Sequence, residues 1–174
     1  MNRLIYKLTT CIVLLTTLFS AVSCTEKGEI YAQVYDIDEN VWVENKALTH
    51  TFEVKDASKP FAVNLAVRAN KDYGYTNIYI KGTLLDTAGK ELRSEVQEII
   101  LNDIATGKPL GSGFGDINEV TSAFATNWQV PTSGTYKLVL KQYMREKRLS
   151  GLEGIGVQIL QPLFLQNFAI LFGR

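Results

Sequence analysis

Residues 48–67 read LTHTFEVKDASKPFAVNLAV, and this stretch decides the fold class. Its two runs, Leu48–Val54 and Phe61–Val67, alternate large apolar side chains with smaller or more polar ones. A period of two residues puts one set of side chains on a single face, which is typical of a strand with one buried face. A polar segment containing Asp, Ser and Pro separates the runs. The stretch therefore predicts two strands of an all-β protein.

The same rhythm recurs along the rest of the chain. Further strands are predicted at Ile30–Tyr35, Thr76–Leu85, Leu92–Leu101, Gly134–Met144 and Ile155–Leu160. Turn-forming residues mark residues 86–90 (DTAGK), 105–109 (ATGKP) and 131–134 (PTSG). Beyond the N-terminal segment no window shows a convincing helical period. We therefore predict one all-β domain over residues 30–160, an antiparallel β-sandwich of jelly-roll-like form.

Residues 1–23 have the features of a lipoprotein signal peptide. Arg3 and Lys7 precede an uncharged stretch, residues 8–23 (LTTCIVLLTTLFSAVS), which is shorter than the ~20 residues of a membrane-spanning helix. The stretch leads into SAVSC, which resembles a bacterial lipobox and predicts acylation of Cys24. Residues 24–29 would then be the lipidated cysteine and a polar tether, attached to a membrane through acyl chains. Ordinary cleavage after Ser23 and a retained N-terminal helix or anchor are the open alternatives.

Composition excludes several functional classes. The chain of 174 residues has 18 basic and 18 acidic side chains, two Cys and one His. Without residues 1–23 it has 16 basic and 18 acidic side chains, a net charge of −2, which argues against a nucleic-acid partner. Two cysteines cannot build a disulfide-rich scaffold or a four-cysteine zinc site, and one histidine cannot supply a two-histidine metal centre.

No segment predicts a catalytic or cofactor site. His50 lies on an apolar strand face with Leu48 and Phe52, which favours a hydrogen-bonded core or rim residue. The acidic stretch 36–39 (DIDE) lacks the glycine and distal glutamate of a calcium loop, which favours a solvated turn. The glycine-rich stretch 110–116 (LGSGFGD) lacks the Gly-Lys-Ser/Thr of a phosphate loop, and its glycines favour a bulge or tight strand crossing. We expect no catalytic residues, cofactor or metal.

Two polar, aromatic clusters are better candidates for contact with a partner. The first is residues 68–77 (RANKDYGYTN), and the second is residues 142–152 (QYMREKRLSGL). Tyr and Arg are enriched in recognition surfaces. The candidate contact residues are Arg68, Asn70, Tyr73, Tyr75, Asn77, Met144 and Arg145. The open alternative is that both clusters are ordered loops of the sandwich, with Arg68 and Arg145 paired locally.

The C-terminal tail, residues 161–174, is apolar but too short to span a bilayer. One interpretation is a last segment packed on the core. The other is a segment that lies on a membrane or binds a partner, because an exposed apolar patch of this size would otherwise promote aggregation.

The two clusters, together with the lipobox Cys24 and the motif GIGV at residues 154–157, also carry a family resemblance. Over about residues 24–160 the chain resembles the gliding-motility lipoprotein GldH family of Bacteroidetes. The resemblance implies a non-enzymatic accessory lipoprotein of the gliding apparatus and its associated type 9 secretion machinery. It implies attachment to a membrane, which we expect to be the outer membrane in either leaflet, and other envelope proteins as partners.

A second functional hypothesis is a surface lipoprotein whose β-sandwich binds glycans. Sandwich folds commonly host such sites, although a fold alone does not establish one. The aromatic side chains that could stack on sugars are Trp42, Tyr73, Tyr75 and Tyr79.

Overall fold

The computed structural model describes residues 28–161. The predicted signal peptide, Cys24, the first part of the tether and the tail from Pro162 onward lie outside the described residues. Asp38–Asn40 form a short 3-10 turn. The strands are β1 (Glu29–Asp36), β2 (Val41–Val43), β3 (Leu48–Val54), β4 (Phe61–Asn70), β5 (Asn77–Leu85), β6 (Glu91–Ile100), β7 (Ser112–Phe114), β8 (Ile117–Trp128), β9 (Gly134–Gln142), β10 (Arg148–Ser150) and β11 (Leu152–Leu160).

The strands form two main antiparallel sheets that face each other. The five-stranded sheet has the order β1-β11-β4-β8-β7, and the four-stranded sheet has the order β3-β9-β5-β6. Strand β1 lies beside β3 at one side of the molecule and β6 lies beside β8 at the other. Eight long strands remain when the three-residue strands β2, β7 and β10 are left out. Numbered 1 to 8 along the chain, they lie in the order 1-8-3-6 in one sheet and 2-7-4-5 in the other, which are the strand orders of a jelly roll. The predicted all-β antiparallel sandwich is confirmed.

The core lies between the sheets because alternate side chains of each strand point inward. In β3 and β4 every second residue is buried, as the sequence pattern predicts. Phe61 packs edge-on against both Phe52 and Trp128, with ring centroids 5.7 and 6.3 Å apart. Such edge-to-face pairs stabilise a core beyond the area that they bury. The aromatic rings thus join the two sheets.

Strand β8 is the main element that the sequence patterns missed. Its residues alternate poorly between buried and exposed, because it pairs with β4 through two register shifts between Phe61 and Asn64. Bulges of this kind add residues to one strand and reverse the faces of those that follow. The three-residue strands β2, β7 and β10 were also missed, since so few residues cannot show a period.

The strand register defines two ends of the sandwich. At the near end, where β1 begins, Glu29 is paired with Leu160 and Val54 with Gly134. At the far end, β4 stops at Asn70 and β9 stops at Gln142. Both clusters of candidate contact residues therefore belong to the far end. Within residues 28–161, the protein contains no helix with the length and apolar character needed to cross a membrane.

Candidate functional site

An open groove at the far end is the best candidate for a functional site. It has a volume of about 570 Å³. We call it the tyrosine groove, and its lining residues are Tyr75, Tyr79, Val96, Tyr143, Met144 and Arg145. The structure thus brings together three of the predicted contact residues, Tyr75, Met144 and Arg145, with three that were not on that list.

Strand alternation places the aromatic and apolar walls of the groove. Ile78 and Ile80 point into the core, so Tyr79 between them points outward and is 38% exposed. Val96 lies on the same outer face, on β6, and is 47% exposed. Tyr143 follows β9, donates its backbone N–H to the Tyr79 carbonyl at 2.8 Å and is 61% exposed. The four-stranded sheet therefore presents its outer face to the groove.

The loop between β4 and β5 supplies Tyr75 and its support. The buried Tyr73 ring packs edge-on against the Tyr75 ring at a centroid distance of 5.8 Å. The Tyr73 hydroxyl donates to the Asn77 carbonyl at 2.8 Å, and burial raises the pKa of Tyr73. The Tyr75 hydroxyl donates to Glu146 Oε1 at 3.3 Å, and partial burial and this carboxylate raise the pKa of Tyr75. Both phenols therefore remain neutral donors near neutral pH.

A buried glutamine shapes the turn that carries Met144 and Arg145. Gln142 is almost fully buried, and its Nε2 donates to the Glu146 carbonyl at 2.7 Å. Its Oε1 accepts the Met144 N–H at 2.8 Å. The Gln142 side-chain amide therefore holds the turn by hydrogen bonds to the backbone of both Met144 and Glu146. The Met144 sulfur accepts the Tyr79 N–H at 3.3 Å. These bonds fix the turn against β5, so the groove is already formed in the unbound protein.

Arg145 gives the groove a free positive charge. Among residues 28–161 its exposed guanidinium has no hydrogen bond or ion pair. The nearby Glu98 carboxylate accepts from the Asn77 amide, and its hydrogen bond to Tyr79 raises the pKa of that phenol. Tyr and Arg are also the residues most enriched at binding hot spots. The groove therefore suits a ligand that combines an apolar or aromatic group with a carboxylate or phosphate.

The other predicted contact residues lie outside the groove lining and make internal bonds. Arg68 pairs with Glu119 on β8 at 2.5 Å. The Asn70 amide donates to Glu153 Oε1 on β11 at 2.6 Å. The sequence left open that Arg68 and Arg145 each form a local ion pair. Arg68 does so, whereas Arg145 has no such pair among the described residues. A role of Arg68, Asn70, Tyr73 or Asn77 in partner contact stays a prediction.

Comparison with known families bears directly on this architecture. The model of the GldH lipoprotein family matches residues 29–159, which include every strand except the last residue of β11. The chain belongs to the GldH lipoprotein family. The predicted resemblance is confirmed, and membership makes the protein a lipoprotein, which implies a lipid attachment to a membrane.

Two curated GldH relatives are similar over nearly their whole length. The gliding motility lipoprotein GldH homolog of Christiangramia forsetii is 25% identical over 156 residues, which cover 84% of this chain and 92% of the relative. The gliding motility lipoprotein GldH of Flavobacterium johnsoniae is 25% identical over 159 residues, which cover 86% of this chain and 94% of the relative.

Two solved structures have a distant likeness to this GldH-family protein. The VP2 subviral particle of infectious bursal disease virus has a TM-score of 0.35 at 11% identity, covering 78% of this chain and 30% of VP2. Dimeric latent PorU from Porphyromonas gingivalis has a TM-score of 0.34 at 9% identity, and the match covers 81% of this chain and 14% of PorU. The chain spans about a third of VP2 and less of PorU.

The histidine of this GldH-family protein is a core residue, as predicted. His50 is fully buried on β3, with the Tyr35 ring edge-on at 4.7 Å. Its Nδ1 lies 3.0 Å from the Tyr31 hydroxyl, which donates to Gln33 at 2.6 Å. That second bond uses the phenolic proton, so we assign the histidine proton to Nδ1. Nε2 is then a buried lone pair without a partner among residues 28–161, and burial lowers the pKa of His50 to about 4.

The acidic stretch forms an exposed turn and the glycine-rich stretch forms a tight strand crossing, as predicted. Asp36, Asp38 and Glu39 are exposed around the 3-10 turn, and the Lys46 ammonium lowers the pKa of Asp38. No cluster of His, Cys, Asp or Glu within residues 28–161 is suited to a metal ion. In the β7–β8 hairpin, a Cβ on Gly113 would lie 2.0 Å from the Ile117 carbonyl oxygen, so only glycine permits this close crossing.

Two aromatic residues proposed to stack on sugars cannot do so, and that prediction is wrong for them. Trp42 and Tyr73 are buried, whereas Tyr75 and Tyr79 are exposed. Sequence reasoning also missed Val96, and it did not select Tyr143 as a contact residue. The signal for Tyr143 was available, because it continues the polar, outward face of β9 after Lys141.

Proposed function

We propose that this protein is a non-enzymatic accessory lipoprotein of the gliding-motility and type 9 secretion-associated envelope machinery. In this proposal Cys24 carries the lipid anchor in the outer membrane, and the tyrosine groove binds another envelope protein. The curated GldH relatives are named as gliding motility lipoproteins, which supports the motility assignment. The partner would present an apolar or aromatic side chain beside a carboxylate, because Arg145 in the groove has no ion pair with any described residue.

The composition of the tyrosine groove is the observation that carries the proposal. The groove brings together three exposed tyrosines, an exposed valine, a methionine and an exposed arginine at one end of the sandwich. Tyr and Met provide contact area at low entropic cost, and Arg adds directional hydrogen bonds. The buried Gln142 holds the Met144 turn before any partner binds, which reduces the ordering cost of association.

The position of the groove also suits a docking role. It lies at the far end of the sandwich, whereas the chain leads towards Cys24 from the near end. A non-enzymatic role is supported by His50, because the chain's one histidine is enclosed beneath Tyr31 and Tyr35 and cannot reach a substrate.

Affinity capture from detergent-solubilised envelopes tests the proposal. The tagged, lipidated protein should recover components of the gliding or secretion machinery. The double variant Tyr143→Ala/Arg145→Ala should recover them at least about ten-fold less, because hot-spot truncations cost ~1–2 kcal/mol or more each. Both side chains are exposed, so folding should be unaffected.

Phe114→Ala is the matched control. Phe114 is an exposed aromatic residue, 95% accessible, but it lies on β7 at the edge of the other sheet. The Phe114→Ala protein should recover the same envelope components as the unchanged protein. Recovery of no gliding or secretion component, or equal recovery with the groove variant, would contradict the proposal.

Glycan binding is the second candidate function, favoured by the exposed rings of Tyr75, Tyr79 and Tyr143 around one groove. Aromatic rings of this kind stack on the apolar faces of sugars. A glycan array probed with the Cys24→Ser protein would detect it, and Tyr79→Ala should abolish the signal. Absence of any bound glycan removes this candidate and leaves the protein partner.

A further inference from the structure

Two lysines lie directly opposite each other beside the tyrosine groove. Lys81 on β5 is paired with Lys141 on β9. Both side chains are on the outer face of the four-stranded sheet, because their neighbours Ile80 and Gln142 are buried in the core. Directly opposite residues of antiparallel strands have Cβ atoms about 4.5–5.5 Å apart, and like charges at this spacing destabilise the sheet. The pair of Lys81 and Lys141, here called the lysine pair, is therefore repulsive.

No described residue neutralises the lysine pair. Within residues 28–161 neither ammonium group has an ion pair or a hydrogen bond. The residue opposite Lys81 on its other side is Val96, which carries no charge. Glu98, the next outward carboxylate on β6, accepts a hydrogen bond from the Tyr79 hydroxyl instead. A local rule that is broken without structural compensation is expected at a functional site.

The lysine pair extends the tyrosine groove along two strands. Lys141 is two residues before Tyr143, and Lys81 is two residues after Tyr79. The Tyr143 N–H donates to the Tyr79 carbonyl at 2.8 Å, so the two tyrosines form the row next to the lysine pair. Residues two apart on a strand share a face and are separated by roughly 6.6 Å. Arg145 follows this row on the turn, so the chain places cations both before and after Tyr143.

These charges determine what kind of ligand would be complementary. The chain without residues 1–23 has a net charge of −2, yet Lys81, Lys141 and Arg145 all lie without an ion pair among the described residues on this one surface. A complementary ligand carries two anionic groups with an apolar group between them. Alternate side chains of an extended peptide have this arrangement, at the same spacing of roughly 6.6 Å. A phosphate ion or a lipid headgroup has no apolar group between its charges.

We propose that the lysine pair and the tyrosine groove form one docking surface for an extended acidic segment of the partner protein. In this segment two carboxylates flank an apolar or aromatic side chain at alternate positions. One carboxylate bridges Lys81 and Lys141, the other meets Arg145, and the side chain between them rests on Tyr79 and Tyr143. Opposite charges placed in this way steer the encounter and fix the register of the bound segment. The inference rests on the proposed function, because it specifies the partner of the same groove.

A peptide array probed with the full-length Cys24→Ser protein tests the inference. In one set of seven-residue peptides, two Glu flank a Phe, Tyr, Trp or Leu at alternate positions. In the matched set Gln replaces each Glu. We expect binding to the Glu set only, and at least about ten-fold weaker binding at high salt, because salt screens interactions between exposed charges.

Charge reversal assigns the binding to the lysine pair. Lys81→Glu/Lys141→Glu again places two like charges opposite each other, so its stability should stay close to that of the unchanged protein, whereas its binding to the Glu set should fall at least about ten-fold. Lys137→Glu is the matched control. Lys137 is exposed on the same strand about 13 Å from Lys141, which exceeds the Debye length of about 10 Å at ~0.1 M salt, so binding should be unchanged. Binding of no Glu peptide, equal binding of both sets, or unchanged binding by the double variant would overturn the inference.

Two further measurements distinguish other roles of the lysine pair. Lys141→Gln should be more stable to urea than Lys137→Gln, because it removes the repulsion. Lower stability of Lys141→Gln than of this control would show that the pair supports the fold. If the pair bound lipid headgroups, the Cys24→Ser protein would float with phosphatidylglycerol vesicles and the charge-reversed double variant would not. Either result would overturn the inference.

Affinity capture separates this inference from the proposed function. Gliding or secretion components that are lost with Tyr143→Ala/Arg145→Ala but retained with Lys81→Glu/Lys141→Glu would count against the acidic segment alone. Recovery of no such component with the unchanged protein would count against the proposed function, whatever the peptides show.

Discussion

His50 makes the stability of the sandwich depend on pH. The imidazole is buried between Tyr31 and Tyr35 with no counter-charge in the described part of the chain, and burial lowers its pKa to about 4 from an ordinary value of 6.5. Between these pH values the unfolded chain binds the proton and the folded protein does not. The free energy of unfolding should therefore fall by up to about 3 kcal/mol as the pH drops from 6.5 to 4, with no further His50 contribution above that range.

Replacement of the histidine isolates this effect. His50→Leu fits an apolar inner face, so urea unfolding of the variant should show a flatter pH dependence between 6.5 and 4. The hydrogen-bonded carboxylates of Asp56 and Asp103 have lowered pKa values, so their contribution is lost mainly below about pH 4 in both proteins. An identical pH dependence in the variant and the unchanged protein would refute the assignment.

At the scale of elements, the connection between β10 and β11 ties the two clusters of the far end together. Gly151 has a φ of +83°, and a Cβ there would lie 2.3 Å from the Tyr73 backbone nitrogen. The Gly151 carbonyl also accepts the Asn70 N–H at 2.9 Å. Only glycine allows this approach, so the loop that supports Tyr75 depends on a turn about 80 residues away.

Gly151→Ala should therefore destabilise the fold by about 1–3 kcal/mol from its backbone conformation alone, with the clash adding to this cost. Gly74→Ala is the matched control in the same region, because a Cβ there meets nothing within 4 Å. It should change the free energy of unfolding by no more than about 1 kcal/mol. Chemical denaturation of the three proteins gives the comparison. Equal stability of the two variants would contradict the prediction, because it would show that the β4–β5 loop and the β10–β11 connection can move apart without cost.

Elements with regular alternation could be predicted from the sequence, and those with bulges could not. Strand β3 was predicted with its observed bounds, because one face is buried along its whole length. Strand β8 was missed, because its pairing with β4 shifts register and its outer half is partly exposed. The tyrosine groove was only half predictable. The sequence indicated its two loops as clusters rich in Tyr and Arg. It did not indicate Val96, which lies in the groove lining only because β6 pairs with β5.

At the scale of the whole molecule, the strand polarity places the tyrosine groove at the end of the sandwich opposite to the one from which the chain leads towards Cys24. Strand β9 runs from Gly134 at the near end to Gln142 at the tyrosine groove, a span of roughly 26 Å at ~3.3 Å per residue. With the proposed anchor on Cys24, four residues before Gly28, the near end of the sandwich should stay closer to the bilayer than the far end. The groove would then face away from the lipid and remain open to a partner.

Fluorescence quenching can measure this orientation on the lipidated protein in vesicles. Lys90→Cys places a label in the near-end turn after β5, and Lys147→Cys places one on the far-end turn that carries Arg145; both lysines are exposed. In the proposed lipidated form, Cys11 is removed with the signal peptide and acylation occupies the Cys24 thiol, so each variant would have one labelling site. Headgroup quenchers should reduce the emission at position 90 more than at position 147. Equal quenching at both positions would contradict a sandwich that stands with its near end on the bilayer.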